Sequence, residues 1–285
     1  MTPNSIQCFE KSGLAKLSDL TVNSYELIFH FLEQEQNNYF QLSNSLINHD
    51  YFKKWPKDTL HWWSRIWEYP YVYYHVQKLL DEFDRSPVKV MDFGSGVNFF
   101  PISISNLGCE VTCIDNDPLC IESLKNIVAT DSELAIRPVL NQGIQIPFPD
   151  KTFEIIYSVS VFEHIPDLIN LIAEIDRILT DNGYLIITFD VSLNENFDLT
   201  LNKYYKFIDT VFKHFELHMP YRSSHPADTL TSKNSPIPFS GYKLKNRVTA
   251  FVINYLIRPL LLKAPHTLPS TLMLSVEGMV VKKRR

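Results

Sequence analysis

Nowhere in the 285 residues do two cysteines form a C-x-x-C pair, and no histidine spacing completes a zinc site around Cys8, Cys109, Cys113 or Cys120. That excludes zinc ribbons and fingers, and no metal centre is expected. The thiols are read as reduced and the chain as cytoplasmic. No basic segment followed by an apolar run opens the chain, so no secretory signal is expected. No uncharged apolar run reaches the ~20 residues of a membrane-spanning helix. A formal charge of −5 provides no positive field for nucleic acid, and Lys282 to Arg285 reads as a solvated basic tail. No internal repeat is present.

The chain does have the makings of a large core: 45% hydrophobic residues against 21% charged. It is organised around Val88 to Asp117, VKVMDFGSGVNFFPISISNLGCEVTCIDND. An apolar strand ends in Asp92. Phe93-Gly94-Ser95-Gly96 then makes a turn at which backbone can approach a ligand closely. A helix follows with Pro101 in its first turn, and a second strand, Glu110 to Ile114, ends in Asp115. This is one βαβ half of a nucleotide-binding fold, with a carboxylate placed to hold ribose hydroxyls. Downstream, strands are predicted at 135–140, 153–160, 184–189, 215–219 and 271–282. Helices are predicted at 118–129, from Pro166-Asp167 to Asp181-Asn182-Gly183, and at 201–214. Strands and helices alternating at this spacing predict a doubly wound, mostly parallel, seven-stranded α/β sheet.

Upstream, residues 1–17 read as a loose arm. Ser18-Asp19 should cap a helix presenting Leu20, Leu27, Ile28, Phe31 and Leu32, with a second helical stretch near 38–47. All four tryptophans lie in 55–67, and Tyr69, Tyr71, Tyr73 and Tyr74 adjoin them. Asp58 is the expected N-cap there, and Pro70 is expected to break the helix so that another runs over 71–83. Most of these rings should pack on the main domain. Trp63, Arg65, Tyr69 and Tyr73 are the candidates to line a ligand pocket. Residues 221–247 read as an irregular insertion, and 247–263 as an apolar helix that covers the sheet or serves as a membrane-surface or dimer contact. The organisation is therefore an N-terminal helical, aromatic cap (1–85), an α/β core (86–220), an insertion (221–265) and a final strand with the basic tail (266–285).

Two ligands suit such a βαβ unit. Nicotinamide enzymes use G-x-G-x-x-G, but here Phe99 stands at the third glycine, and Asp92 would repel a pyrophosphate. A carboxylate at that strand end suits a cationic ligand instead. VMDFGSGVN resembles the first motif of class I S-adenosylmethionine-dependent methyltransferases. IPFPDKTFEIIYSVSVFEHIPD and ILTDNGYLIITF resemble the rest of the type-11 family, over roughly 86–190. Asn98 departs from the family's third glycine, and Gln142-Gly143 from its usual acidic residue and alanine.

The resemblance implies a Rossmann-like methyltransferase fold with S-adenosyl-L-methionine as cofactor. Asp92, Gly94, Ser95 and Gly96 would hold the methionine end and Asp115 the ribose. Asn116, Gln142 and Gly143 would flank the adenine, and Ser158 would pass beneath the methionine moiety. The acceptor is expected to be a small hydrophobic or aromatic molecule, methylated on oxygen in preference to nitrogen or carbon. His164 is the first candidate for a base, followed by Glu163 and Asp190.

Overall fold

The structure, a computed structural model, describes residues 8–43, 46–47, 50–51, 55–84, 86–193, 199–237 and 273–284. Its strands are β1 (Gly13–Leu14), β2 (Lys89–Phe93), β3 (Glu110–Asp115), β4 (Ile136–Leu140), β5 (Phe153–Val159), β6 (Leu179–Ser192), β7 (Phe215–Leu217) and β8 (Leu274–Lys283). The α-helices are α1 (Asn23–Ser43), α2 (Arg65–Leu80), α3 (Phe100–Ser105), α4 (Pro118–Val128), α5 (Leu168–Ile178) and α6 (Leu201–His214). The strands form one sheet in the order β1-β8-β6-β5-β2-β3-β4, with β7 also on β8. β4, β3, β2, β5 and β6 run parallel, while β8 is antiparallel to β6.

The expected doubly wound α/β architecture is present. Its outer edge, beyond β8, is supplied by two short strands. β7 pairs with β8 at Val281 to Lys283, and β1 pairs at Glu277 and Gly278. Pro138 lies on β4, the opposite edge, where a missing amide donor is tolerated. Strand order reverses between β2 and β5, so a crevice opens at the carboxyl ends of these two strands, where open α/β sheets bind ligands.

Each face of the sheet carries its own apolar layer. On one side α1 to α4 enclose Leu32, Trp63, Trp67, Tyr71, Phe99, Phe100 and Ile104. On the other, α5 and α6 enclose Phe162, Ile172, Ile175, Phe189, Phe207 and Val211. α5 buries Leu171, Ile172, Ile175 and Ile178, the 3.6-residue stripe read from the sequence. Asp117 caps α4 by accepting from the Leu119 amide, with Pro118 next in line, as expected.

The N-terminal third differs from its sequence reading. Residues 8–17 are not a loose arm. Phe9 is fully buried, and Lys11 is enclosed with its ammonium 2.6 Å from Asp19. Trp67 Nε1 also donates to Asp19, at 2.9 Å. Ser18-Asp19 starts only a 3-10 turn, Leu17–Thr21, because Asp19 is committed to Lys11, Trp67 and the Lys16 amide. The true helix runs unbroken from Asn23 to Ser43 and takes in the start of the second stretch expected at 38–47. Its inner face is Tyr25, Leu32, Gln36, Tyr39 and Ser43, while Leu27 is 60% exposed. Polar residues therefore complete a helical stripe that apolar counting alone misplaced.

Asp58 accepts from the His61 amide at 3.0 Å, but the helix proper begins at Arg65. α2 passes through Pro70 without ending. Tertiary burial outweighs the proline penalty there, since every residue from Ile66 to Tyr73 is buried. Trp67 and Tyr71 stack at 4.5 Å and lie on Gly278, whose added Cβ would stand 2.7 Å from both rings. Residues 221–237 are irregular yet pinned, by bridges from Tyr221 to Ser12, Thr229 to Lys16 and Thr231 to Ser275. The apolar helix expected at 247–263 lies outside the described residues. Among the described residues, no helix is long and apolar enough to cross a membrane.

Candidate active site

The glycine turn sits at the carboxyl end of β2, in the crevice. Gly94 and Gly96 adopt left-handed conformations, with φ of 75° and 58°. A Cβ on Gly94 would lie 2.5 Å from Val161 Cγ2, and one on Gly96 would lie 3.1 Å from the Tyr51 hydroxyl. Both glycines are thus required by backbone conformation and by close approach. The turn is tied to β3 by Gly94 and Ser95 amides donating to the Ile114 carbonyl. Asp115 Oδ2 accepts from the Gly96 amide at 2.9 Å, and Oδ1 accepts from Asp117. Tyr51 closes the turn from above by accepting from the Val97 amide at 2.7 Å. Asn98, in place of a glycine, holds the turn through both ends of its amide: Nδ2 donates to the Ser95 carbonyl and Oδ1 accepts from Phe100. Phe99 fills the gap beside α2, edge-on to Tyr69 at 5.5 Å.

Asp92 is only 4% exposed and accepts a 2.9 Å hydrogen bond from the Tyr157 hydroxyl. Burial pushes its carboxyl up to about 8, Asp115 adds to the rise, and the Tyr157 bond opposes it. Among the described residues no cation bonds to it. Ser95 is buried beside the thiols of Cys113 and Cys120, both raised chiefly by burial. All four cysteines are free and buried.

A second polar group gathers at the ends of β5 and β6. Ser160, just past β5, holds a positive φ of 47°, a strained conformation for a non-glycine residue. Its hydroxyl donates to Glu68 at 2.7 Å, and Arg65 donates to both Ser160 and Glu68. Helix α2 is thereby clamped onto the end of β5. Glu163 is 4% exposed and accepts from the Asp190 amide at 3.2 Å through Oε1. The Glu163 and Asp190 carboxyls are both raised, by burial first. Mutual repulsion and Glu68 raise Asp190 further, and Arg65 opposes this. Tyr69 lies near both groups: burial first, then Asp92 and Glu68, raise its hydroxyl, and Arg65, 6.0 Å from its ring centroid, opposes this.

The predicted residues fall in several places. Asp92, Gly94, Ser95, Gly96 and Asp115 converge at the turn, with Asn116 exposed beside them. Gln142 and Gly143 are exposed on the loop after β4, where Asn141 donates to the Gly143 carbonyl. Ser158 is fully buried, and its hydroxyl donates to the Phe93 carbonyl at 2.8 Å. It ties β5 to the end of β2 and presents no free donor to the crevice. Glu163 and Asp190 come together, while the neighbouring His164 is exposed. Arg65 faces Ser160. Tyr69 stacks on Phe100 at 4.6 Å, Trp63 is buried, and Tyr73 packs on Phe31 of α1 at 5.2 Å. Sequence reasoning missed Tyr51, Glu68, Tyr157 and Ser160. Glu68 carried a signal, a lone acid within an otherwise aromatic helix three residues from Arg65.

Residues 91–187 match the family model described as a methyltransferase domain. They form a class I S-adenosylmethionine-dependent methyltransferase domain of the type-11 family. A sterol 4-C-methyltransferase of Caenorhabditis elegans is 24% identical over 131 residues, covering 42% of this chain and 36% of that protein. A ubiquinone biosynthesis O-methyltransferase of Rickettsia typhi is 26% identical over 153 residues, covering 50% of this chain and 61% of that protein. The chain spans well under half the length of the first of these relatives. Among solved structures, one from Galdieria sulphuraria, assigned as a sarcosine dimethylglycine methyltransferase, superposes with a TM-score of 0.52. It is 15% identical, covering 88% of this chain and 98% of its own. The cyclase SpnF superposes at 0.51 and 12% identity, over 74% and 81% of the two chains. These likenesses show the fold, which a methyltransferase domain shares with a protein titled a cyclase.

The cofactor that names the family fits the residues present in this methyltransferase domain. Asp92 is an enclosed carboxylate with a neutral partner, an environment that a sulfonium or ammonium would stabilise and a pyrophosphate would not. The turn beside it holds glycine at two left-handed positions, the first with no room for a Cβ.

Proposed function

We propose that this chain transfers a methyl group from S-adenosylmethionine to a small apolar or aromatic acceptor, on oxygen. The buried Asp92 beside the glycine turn at the strand-order reversal is the observation that carries this reading. When bound, the cofactor supplies an electrophilic methyl group. Asp92 offsets its positive charge, Gly94 to Gly96 let it approach the backbone, and Asp115 accepts from the ribose hydroxyls while keeping the turn closed. Asn116, Gln142 and Gly143 border the adenine at the open end. Ser158 acts only by fixing the ends of β2 and β5. Arg65, Tyr69 and Trp63, at the head of α2, border the acceptor side. The fold's contribution to rate is mainly alignment of nucleophile and methyl carbon.

Of the three base candidates, Glu163 and Asp190 face inward with raised proton affinity, while His164 is exposed. The test is turnover. Purified protein is incubated with S-adenosylmethionine and a panel of phenols, catechols and aliphatic alcohols, and S-adenosylhomocysteine release is followed. Product with at least one hydroxyl acceptor, reduced at least tenfold in Asp115→Ala, supports the proposal. Cofactor binding without product from any acceptor contradicts it.

A further inference from the structure

Three alternate residues at the end of β6 present their side chains to the same face of the sheet, the face on which α2 packs. These are Thr188, Asp190 and Ser192. Thr188 is 0% and Ser192 1% exposed. Thr188 Oγ1, Asp190 Oδ1 and Ser192 Oγ are all buried, and none has a hydrogen-bond partner among the described residues. Glu163 Oε2, held against the Asp190 amide by its sister oxygen, is the fourth such atom. Buried polar atoms are nearly always satisfied, and each left unpaired costs about 1–3 kcal/mol. Four such atoms along the end of β6 and the turn that meets it mark polar contacts that the described residues do not make. Its chemistry is one-sided. Two of the four atoms are carboxylate oxygens and two are hydroxyls, which can accept as well as donate. Of the cations that act on this carboxyl pair, Arg65 is engaged by Glu68 and Ser160, and His164 adjoins Glu163.

We propose that Thr188, Asp190 and Ser192, with Glu163, form the acceptor subsite, and that it takes a protic nucleophile, an O–H or N–H group, and refuses a carboxylate. This rests on the methyltransferase reading above, to whose hydroxyl acceptor it adds the residues that receive the protic group and the exclusion of a carboxylate. In the step, the nucleophile's lone pair forms the bond to the methyl carbon. The carbon–sulfur bond breaks onto sulfur, leaving a neutral thioether. The nucleophile's proton passes to the ionised member of the Glu163–Asp190 carboxyl pair. A carboxylate acceptor would need no base and would meet the remaining negative charge of the pair in a water-poor site, where repulsion is poorly screened.

The subsite is tested on full-length protein saturated with S-adenosylhomocysteine. Three probes of one frame, benzyl alcohol, benzylamine and benzoate, are titrated at pH 7 by ligand-observed NMR. At least one of the first two is expected to bind ten times more tightly than benzoate. The preference should fall to within twofold in both Glu163→Gln and Asp190→Asn, and the favoured probe should weaken at least threefold in Thr188→Val. Thr188→Val is nearly isosteric and removes a buried unpaired hydroxyl, so it guards against misreading an unfolded variant. S-adenosylhomocysteine affinity should stay within twofold throughout. If the nucleoside fails to bind the wild type, the methyltransferase reading fails. If it binds but benzoate equals the other probes, the proposal is overturned. It is overturned equally if no probe binds, as when ordered water alone satisfies the row, or if the variants keep the preference.

Discussion

Asp92 shows how one residue can be unfavourable for the fold and useful to the site. Its carboxyl is raised to about 8 from the usual range below 4, so the folded state binds its proton more tightly than the unfolded chain does. The stability this gives is full in acid and is lost as pH climbs through about 8. Glu163, Asp190 and Glu277 are raised too, and act with the same sign. The ligand-free protein should therefore melt at lower temperature as pH goes from 5 to 9. Asp92→Asn should flatten that slope and raise the melting temperature at pH 9 by about 4 °C or more, at roughly 2–4 °C per kcal/mol, as read by calorimetry. The same substitution should weaken cofactor binding at least tenfold. In the wild type, affinity for a cationic cofactor should increase with pH up to about 8, with proton release seen as a buffer-dependent binding enthalpy. At this scale much of the placement was legible: motif spacing alone brings Asp92, the two glycines and Asp115 to one turn, where the structure has them. The surroundings of Ser158 and His164 were not, because which way a hydroxyl turns or a 3-10 turn points is set by neighbours distant in sequence.

The glycine turn works as an element because β2, β3 and the loop after β5 enclose it together. Val161 fills the space that a side chain at position 94 would need. Gly94→Ala combines a left-handed φ with a 2.5 Å contact, so a destabilisation of at least about 2 kcal/mol is expected in urea denaturation. Val161→Ala in the same chain should recover part of it but not all, since the backbone term remains. Full recovery would mean the φ imposes no strain. The parallel core was readable as strand-helix alternation, and α5 as a 3.6-residue stripe. α1 and α2 were misread for one reason: tertiary burial overrode local signals. Gln36 faces inward because its amide is satisfied by Asp58 and the Leu60 amide. Pro70 stays helical because α2 is enclosed on several sides at once.

On the scale of the whole molecule, the N-terminal residues belong to the α/β fold. β1 completes the sheet edge beyond β8, and Phe9 and the Lys11–Asp19–Trp67 cluster anchor α2 to it. α2 in turn delivers Arg65 and Glu68 to the end of β5. Removing residues 1–22 should therefore lower the melting temperature by about 10 °C or more, at roughly 2–4 °C per kcal/mol, and impair cofactor binding from a distance. A truncated chain with unchanged melting and affinity would show that the segment is ancillary. Such long-range roles leave little trace in sequence, because Gly13 and Gly278 meet only when chain ends 265 residues apart pair in one register.

The central claim, that the turn at Gly94–Gly96 and its two aspartates form a cofactor cradle, is tested most directly by isothermal titration of the full chain with S-adenosylmethionine. One site per chain is expected, weakened at least tenfold in Asp115→Ala and in Asp92→Asn, with NADH giving no heat of binding. Absence of S-adenosylmethionine binding, or equal affinity in both variants, would contradict it.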